Sequence, residues 1–122
     1  MDSKYLIRVP YLEGMDLNDD GSLKSYVGNG KPVVVFVQGL FCGYCTKAKP
    51  DFQNFCKNPN AVGVTIQIDG SPTEKEANTK IAKVNTARGV PAYIGFDKNG
   101  AFKAIHNGNR DASSLAAFAA QL

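Results

Sequence analysis

The residues with the clearest capacity for chemistry are Cys42 and Cys45, separated by two residues in "LFCGYCTKAKP", residues 40–50. Two thiols at that spacing can hold a metal, close a structural crosslink, or exchange electrons as a dithiol and a disulfide. A zinc site needs four ligands, and Cys56 and His106, the remaining cysteine and the only histidine, would have to complete it. Cys56 lies eleven residues beyond Cys45 on what reads as one helix. At about 1.5 Å per residue that is roughly 16 Å, too far for a shared metal or for a disulfide with Cys45. Cys56 is expected to be a buried small hydrophobe, with a regulatory or dimerising thiol as the alternative. No metal and no cofactor are expected.

The position of the pair decides among these chemistries. "PVVVFVQ", residues 32–38, is a nearly continuous β-branched run behind a proline, the pattern of a central buried strand. From Cys42 onward, Cys45, Ala48, Phe52, Phe55 and Cys56 recur every three or four residues, the period of one helix face. The motif therefore falls at a strand-to-helix junction, with Cys42 at the helix N-terminus. Unpaired N–H groups and the helix dipole favour thiolate there, and can bring a cysteine pKa from about 8.5 to about 3.5–7.5. Cys42 is the expected nucleophile. Cys45, one turn further in and facing the core, is the expected resolving thiol. Gly43 lets the backbone turn tightly, and Tyr44 presents an aromatic ring beside the pair. Pro50 falls inside the helix and predicts a bend about one turn after the motif.

Other elements must close around this junction. "KYLIRV", residues 4–9, reads as an edge strand, and Ser22–Val27 as a short helix ended by Gly28-Asn29-Gly30. "AVGVTIQID", residues 61–69, alternates Val62, Val64, Ile66 and Ile68 on one face of a strand. "SPTE" supplies Ser71 as N-cap, Pro72 at the first helical position and Glu74 as the capping-box partner, opening a helix with Ala77, Ile81 and Val84 inward. "VPAYIGF" and "AFKAIHNG" read as two strands of a hairpin joined by "DKNG". Asp111 caps a last helix with Leu115, Phe118, Ala119 and Leu122 as its apolar stripe. The order predicts an α/β fold: a central mixed β-sheet of four or five strands flanked by helices on both faces. One domain is expected over residues 1–122, with residues 32–122 as its core and 1–31 as an N-terminal strand and helix segment.

Composition excludes several function classes. The chain has 122 residues, 43% hydrophobic and 20% charged, and its net charge of +3 comes from 14 basic and 11 acidic residues in small scattered groups. No basic stripe is present, so no nucleic-acid partner is expected. The longest apolar run, Val33–Val37, is too short to span a bilayer, and "MDSKYLIRVPYLEG" lacks the apolar core of a secretory signal. The expectation is a cytoplasmic monomer with no membrane partner, where structural disulfides would stay reduced and a lone CxxC signals chemistry. "DLNDDG", residues 16–21, matches the opening of a calcium loop, but Val27 stands at the twelfth position, where a bidentate Glu belongs. A solvated Asx-type turn is expected instead. His106 is expected to pack or face solvent rather than to catalyse.

From about residue 32 to the C-terminus the chain resembles the thioredoxin superfamily. The resemblance rests on "VVVFVQGLFCGYC", on Pro50 at the helix-kink position, and on "ARGVPAYIGFDKNG", residues 87–100, which is similar to that family's cis-proline segment. It implies the thioredoxin fold, with residues 1–31 as a divergent segment. It also implies a cis Pro91 against the cysteines, and Val90 offering backbone hydrogen bonds to an extended substrate. The departures are specific. The family's buried acidic residue, six positions before the nucleophile, is Phe36 here, and its lysine partner aligns with Thr65. Losing both halves of a buried charge pair is energetically consistent, because losing one would strand a charge; water or a polar neighbour is then expected to take the Cys45 proton. Phe41 replaces the usual tryptophan. The Gly-Tyr dipeptide resembles that of bacterial periplasmic disulfide isomerases, whose dimerisation domain and export signal this sequence lacks. "NGNRD" only faintly resembles the glutathione site of glutaredoxins.

The resulting expectation is a thiol-disulfide oxidoreductase that exchanges protein disulfides through Cys42 and Cys45 by a mixed disulfide at Cys42. Phe41, Tyr44, Val90 and Pro91 would receive the substrate chain. A recycling reductase or glutathione would return the pair to its working state. The alternative is a non-catalytic module of the same fold that binds extended peptides at Val90-Pro91, or a subunit of a larger enzyme.

Overall fold

Six consecutive buried residues form the middle of the molecule: β1, Val33–Gln38. The computed structural model describes residues 6–122. On one side β1 pairs in parallel with β2 (Val62–Gln67), in continuous register from Val33 opposite Val62 to Gln38 opposite Gln67. On its other side it pairs antiparallel with β3 (Ala92–Phe96), which continues antiparallel into β4 (Phe102–Ile105). The sheet has four strands in the order β2-β1-β3-β4. The β3–β4 hairpin turns through "DKNG", where Asp97 Oδ1 accepts from the N–H groups of Asn99 and Ala101. Gly100 closes it at φ 88°, a left-handed backbone that glycine adopts without strain.

Helices cover both faces. On one face α2 (Gly43–Phe55) and α4 (Ala112–Ala119) pack Cys45, Ala48, Phe52, Phe55, Leu115 and Ala119 against Val34, Phe36 and Tyr93. Phe52 is the hub of that layer, its ring stacked 4.9 Å from Phe36 and 5.7 Å from Phe55. On the other face α3 (Pro72–Ile81) buries Ala77 and Ile81 against Val35, Val37, Val64, Ile66 and Ile94. Ser71 and Glu74 form the expected capping box at its start, each satisfying the other's backbone N–H. Val84 falls after the end of this helix, yet still packs on the same face. Pro50 lies within α2. Asp111 caps α4 and accepts the Ser114 N–H at 3.2 Å.

The structure corrects the reading of the N-terminal segment. Lys4 and Tyr5 lie outside the described residues, and no strand forms over 6–9: Ile7 and Arg8 make a turn, with Arg8 at φ 59°. The chain reaches the sheet further on, where Tyr11 bridges Thr65 in parallel. There Leu12 N–H donates to Thr65 O and Thr65 N–H donates to Pro10 O. Pro10 has no N–H to extend that ladder backwards. The short helix, α1, spans Ser25–Gly28 rather than starting at Ser22. Ser22 and Leu23 are engaged elsewhere: Ser22 O accepts from Asn18, and Leu23 N–H donates to Gly100 O in the hairpin. Asn29, at φ 50°, ends α1 as expected of the Gly-Asn-Gly turn. Among the described residues, no helix is long and apolar enough to cross a membrane.

Phe52→Ala removes the ring shared by Phe36, Phe55 and Tyr93. It is expected to cost about 3–5 kcal/mol of unfolding free energy, read by urea denaturation. A loss under about 1 kcal/mol would mean that the layer relaxes freely around the gap.

Candidate active site

Parallel pairing brings the C-terminal ends of β1 and β2 side by side, so the loops leaving them meet. After Gln38 the chain crosses Gly39–Phe41 and enters α2 with Cys42 as N-cap, at φ −93° and ψ 106°. Cys42 Sγ accepts the Cys45 N–H at 3.0 Å, which uses one of the unpaired donors at the helix start. From the other loop, Asp69 holds the approach: both its carboxylate oxygens accept the Leu40 N–H, at 2.9 and 3.0 Å, and Gln67 Nε2 donates to it at 2.7 Å. Desolvation opposes ionisation of Asp69. Hydrogen bonds from Gln67 and from the Leu40 and Phe41 backbones outweigh it and hold the carboxyl below its ordinary value of 3.8. Sequence reasoning missed Asp69. The signal for it is that β1 and β2 are parallel neighbours, which forces their C-terminal loops together.

Cys42 and Cys45 are joined as a disulfide, with Cα atoms 5.2 Å apart. Cys42 is 7% exposed and Cys45 is 0% exposed, so an incoming group reaches only the first sulfur. Facing it, the Val90–Pro91 peptide is cis, and the Val90 carbonyl oxygen lies 3.6 Å from Cys42 Sγ. The Val90 N–H makes no hydrogen bond among the described residues. Phe41, 74% exposed, and Tyr44, 69% exposed, stand beside the disulfide with Leu40 as an uncovered apolar collar. The Lys47 ammonium sits 5.9 Å from the Tyr44 ring centroid. The structure thus brings together Phe41, Cys42, Gly43, Tyr44, Cys45, Val90 and Pro91.

Behind the disulfide the layer is aromatic. Phe36 is fully buried between Phe52 and Tyr93, at ring distances of 4.9 and 5.3 Å. Its partner across β2 is Thr65, whose hydroxyl donates to the Phe36 carbonyl at 2.6 Å and accepts from Gln38 Nε2 at 2.9 Å. The buried polar groups nearest this point are therefore neutral. Cys56 caps the C-terminal end of α2 and is half-buried rather than buried. A Cβ on Gly63 would fall on its sulfur, which explains a glycine inside β2. Burial pushes the Cys56 thiol up to about 12. His106 packs its ring 4.9 Å from that of Phe118, and its Nε2 lies 2.6 Å from the Asn109 carbonyl oxygen. In "DLNDDG" the Asp20 carboxylate accepts the Ser22 N–H and hydroxyl, an Asx turn. Among the described residues no three His, Cys, Asp or Glu side chains converge on a metal position.

Comparisons with known proteins agree with this geometry. The sequence model of the thioredoxin-like domain matches residues 20–122. A thioredoxin-like protein, 453L, of Invertebrate iridescent virus 6 is 31% identical over 102 residues, covering 72% of this chain and 70% of that protein. The oxidised crystal structure of thioredoxin O2 from Arabidopsis thaliana superposes with a TM-score of 0.63 at 21% identity, covering 97% of this chain and 98% of that one. Human ERp44, form II, gives a TM-score of 0.70 at 17% identity, covering 99% of this chain and 32% of the ERp44 chain. This chain likewise spans 45% of the J-Trx1 fragment of ERdj5. At these identities the likeness to solved structures shows the fold.

Two outcomes are expected from the local chemistry. With a thiol pKa of about 12, Cys56 is thiolate in only about one molecule in ten thousand at pH 8. Iodoacetamide should therefore label it orders of magnitude faster in urea than in the folded, oxidised protein, as read by mass spectrometry. Asp69 has a folded pKa below its unfolded value near 3.8, so its support of the loop is complete above that value and is lost as pH falls through the folded one. Protection of the Leu40 and Phe41 amides from hydrogen exchange should hold from neutral pH to about 4 and decline below it. In Asp69→Ala it should be weak throughout.

Proposed function

Because the chain belongs to the thioredoxin-like family and carries the Cys42–Cys45 pair, we propose that it is a thiol-disulfide oxidoreductase acting on disulfide-bearing proteins. The observation that carries this reading is the asymmetry of the pair. One sulfur, on a side chain 7% exposed at a helix N-terminus, accepts a backbone N–H, and the other is fully sealed behind it. A thiolate at Cys42 is favoured by that N–H and by the helix dipole. In the reduced protein the Cys42 thiolate attacks a substrate disulfide. An S–S bond forms to Cys42 as the substrate's own bond breaks, and one substrate sulfur leaves as thiolate. Cys45 then loses its proton and attacks Cys42 Sγ. The second substrate sulfur leaves and takes up a proton as the Cys42–Cys45 bond closes. The protein gives up two electrons and the substrate gains them, and the reverse sequence oxidises a substrate dithiol.

The surroundings support each role. The free Val90 N–H and its carbonyl beside Cys42 offer the two hydrogen bonds of an added β-strand, so a substrate segment lies extended across Val90-Pro91. Phe41 and Tyr44 cover the apolar side chains of that segment. No carboxylate stands behind Cys45 among the buried residues near Phe36, so its proton leaves through neutral groups or water, which slows the second step relative to an enzyme with a buried base. A thiol reductant, either a separate reductase or glutathione, regenerates the dithiol.

The test is turnover of a disulfide-linked protein substrate by the wild type, Cys42→Ser and Cys45→Ser, with equilibration in glutathione buffers. Cys42→Ser should abolish turnover, and Cys45→Ser should trap the mixed disulfide. A potential near about −270 mV assigns a reductase, and one near about −120 to −180 mV an oxidase or isomerase. Full turnover by Cys42→Ser would sink the reading.

A further inference from the structure

A cavity of about 390 Å3 opens beside the redox pair, and its wall includes Val90, whose carbonyl touches Cys42 Sγ. Its charge is one-sided. Arg88, from the loop before β3, and Arg110, from the turn before α4, both line it, and no Asp or Glu does. Neither guanidinium forms an ion pair or a hydrogen bond among the described residues. The nearest acid in sequence, Asp111, is committed to the Ser113 and Ser114 hydroxyls and the Ser114 N–H.

Tyr93 also lines the cavity, and its hydroxyl, on a side chain 2% exposed, has no hydrogen-bond partner. Burial pushes this hydroxyl up to about 12; Arg110 acts against that shift, and Asp51 of α2 adds to it. Tyr93 is therefore a neutral O–H at neutral pH, within the field of the Arg110 guanidinium. His106 forms part of the wall and is held by Phe118 and the Asn109 carbonyl. Two unpaired guanidinium groups on the wall of a cavity that no carboxylate lines make a site that a carboxylate satisfies.

We propose that this cavity is a specificity subsite for an acidic side chain of the client protein, an Asp or Glu close in sequence to the cysteine that Cys42 attacks. The proposal rests on the thiol-disulfide reading above and names the substrate class for that site. A client segment extended across Val90 advances about 3.3 Å per residue, so a side chain a few residues from the mixed disulfide reaches the cavity. The carboxylate would accept from Arg88 and Arg110, and would steer the client's approach at low ionic strength.

The experiment measures kcat/KM for dithiothreitol-driven reduction of a disulfide-linked peptide series. Each peptide carries Glu, Gln or Lys at one of the three positions on either side of its cysteine. The wild type should favour Glu over Gln by about fivefold at one or two of these positions, and the ratio should shrink in 0.5 M salt. In Arg88→Gln/Arg110→Gln the ratio should fall to about one, and in Arg110→Glu it should invert in favour of Lys. A wild-type ratio of one at every position, or a ratio that survives the double substitution, overturns the subsite while leaving the oxidoreductase reading intact. Failure to reduce any peptide overturns both.

Discussion

Everything at the redox pair depends on β1 being enclosed on all sides. It is paired along both edges and covered on both faces, and its six residues are buried. A strand held this way has one fixed register, because a slip of one residue would exchange Phe36 and Val35 between two differently shaped layers. The end of β1 is therefore a fixed point in space, and Cys42, the N-cap of α2, follows four residues after it. The position of Cys42 is thus set by the packing of β1, and both cysteines join the same buried cluster as Val34 and Phe36.

Enclosure also sets the chemistry available behind the disulfide. Where the thioredoxins that this chain resembles carry an acid and a lysine, it carries Phe36 and Thr65, which are partners across β1 and β2. The aromatic layer of Phe36, Phe52 and Tyr93 uses the space for packing, with each ring pair adding about 0.5–1.5 kcal/mol beyond area burial. Exchanging a buried ion pair for packed apolar groups is often neutral or stabilising. What it leaves out is a buried charged pair at these two positions.

The charged groups near the pair lie further out. Asp69 fixes the Leu40 loop from the surface, and the arginines lie around the cavity next to Val90 rather than beneath the sulfurs. Charge at these positions avoids the cost of burying an unpaired ion.

By itself the sequence determined the elements and the pair. The β-branched run at 33–37, the helical period from Cys42, the capping box at Ser71 and the turn at Asp97–Gly100 are local signals, each satisfied by neighbours within a few residues, and the structure forms all of them. The N-terminal segment was misread for the same reason. Whether residues 6–9 or 10–12 reach the sheet depends on the Thr65 backbone, and the start of α1 depends on Gly100, both far along the chain. Tertiary structure alone decided what surrounds the disulfide. Asp69, Arg88, Tyr93, His106 and Arg110 carry no motif. Arg88, Tyr93, His106 and Arg110 share one cavity, and Asp69 meets the Leu40 loop, because strand pairing carries distant segments together, and period and propensity do not encode pairing between distant strands.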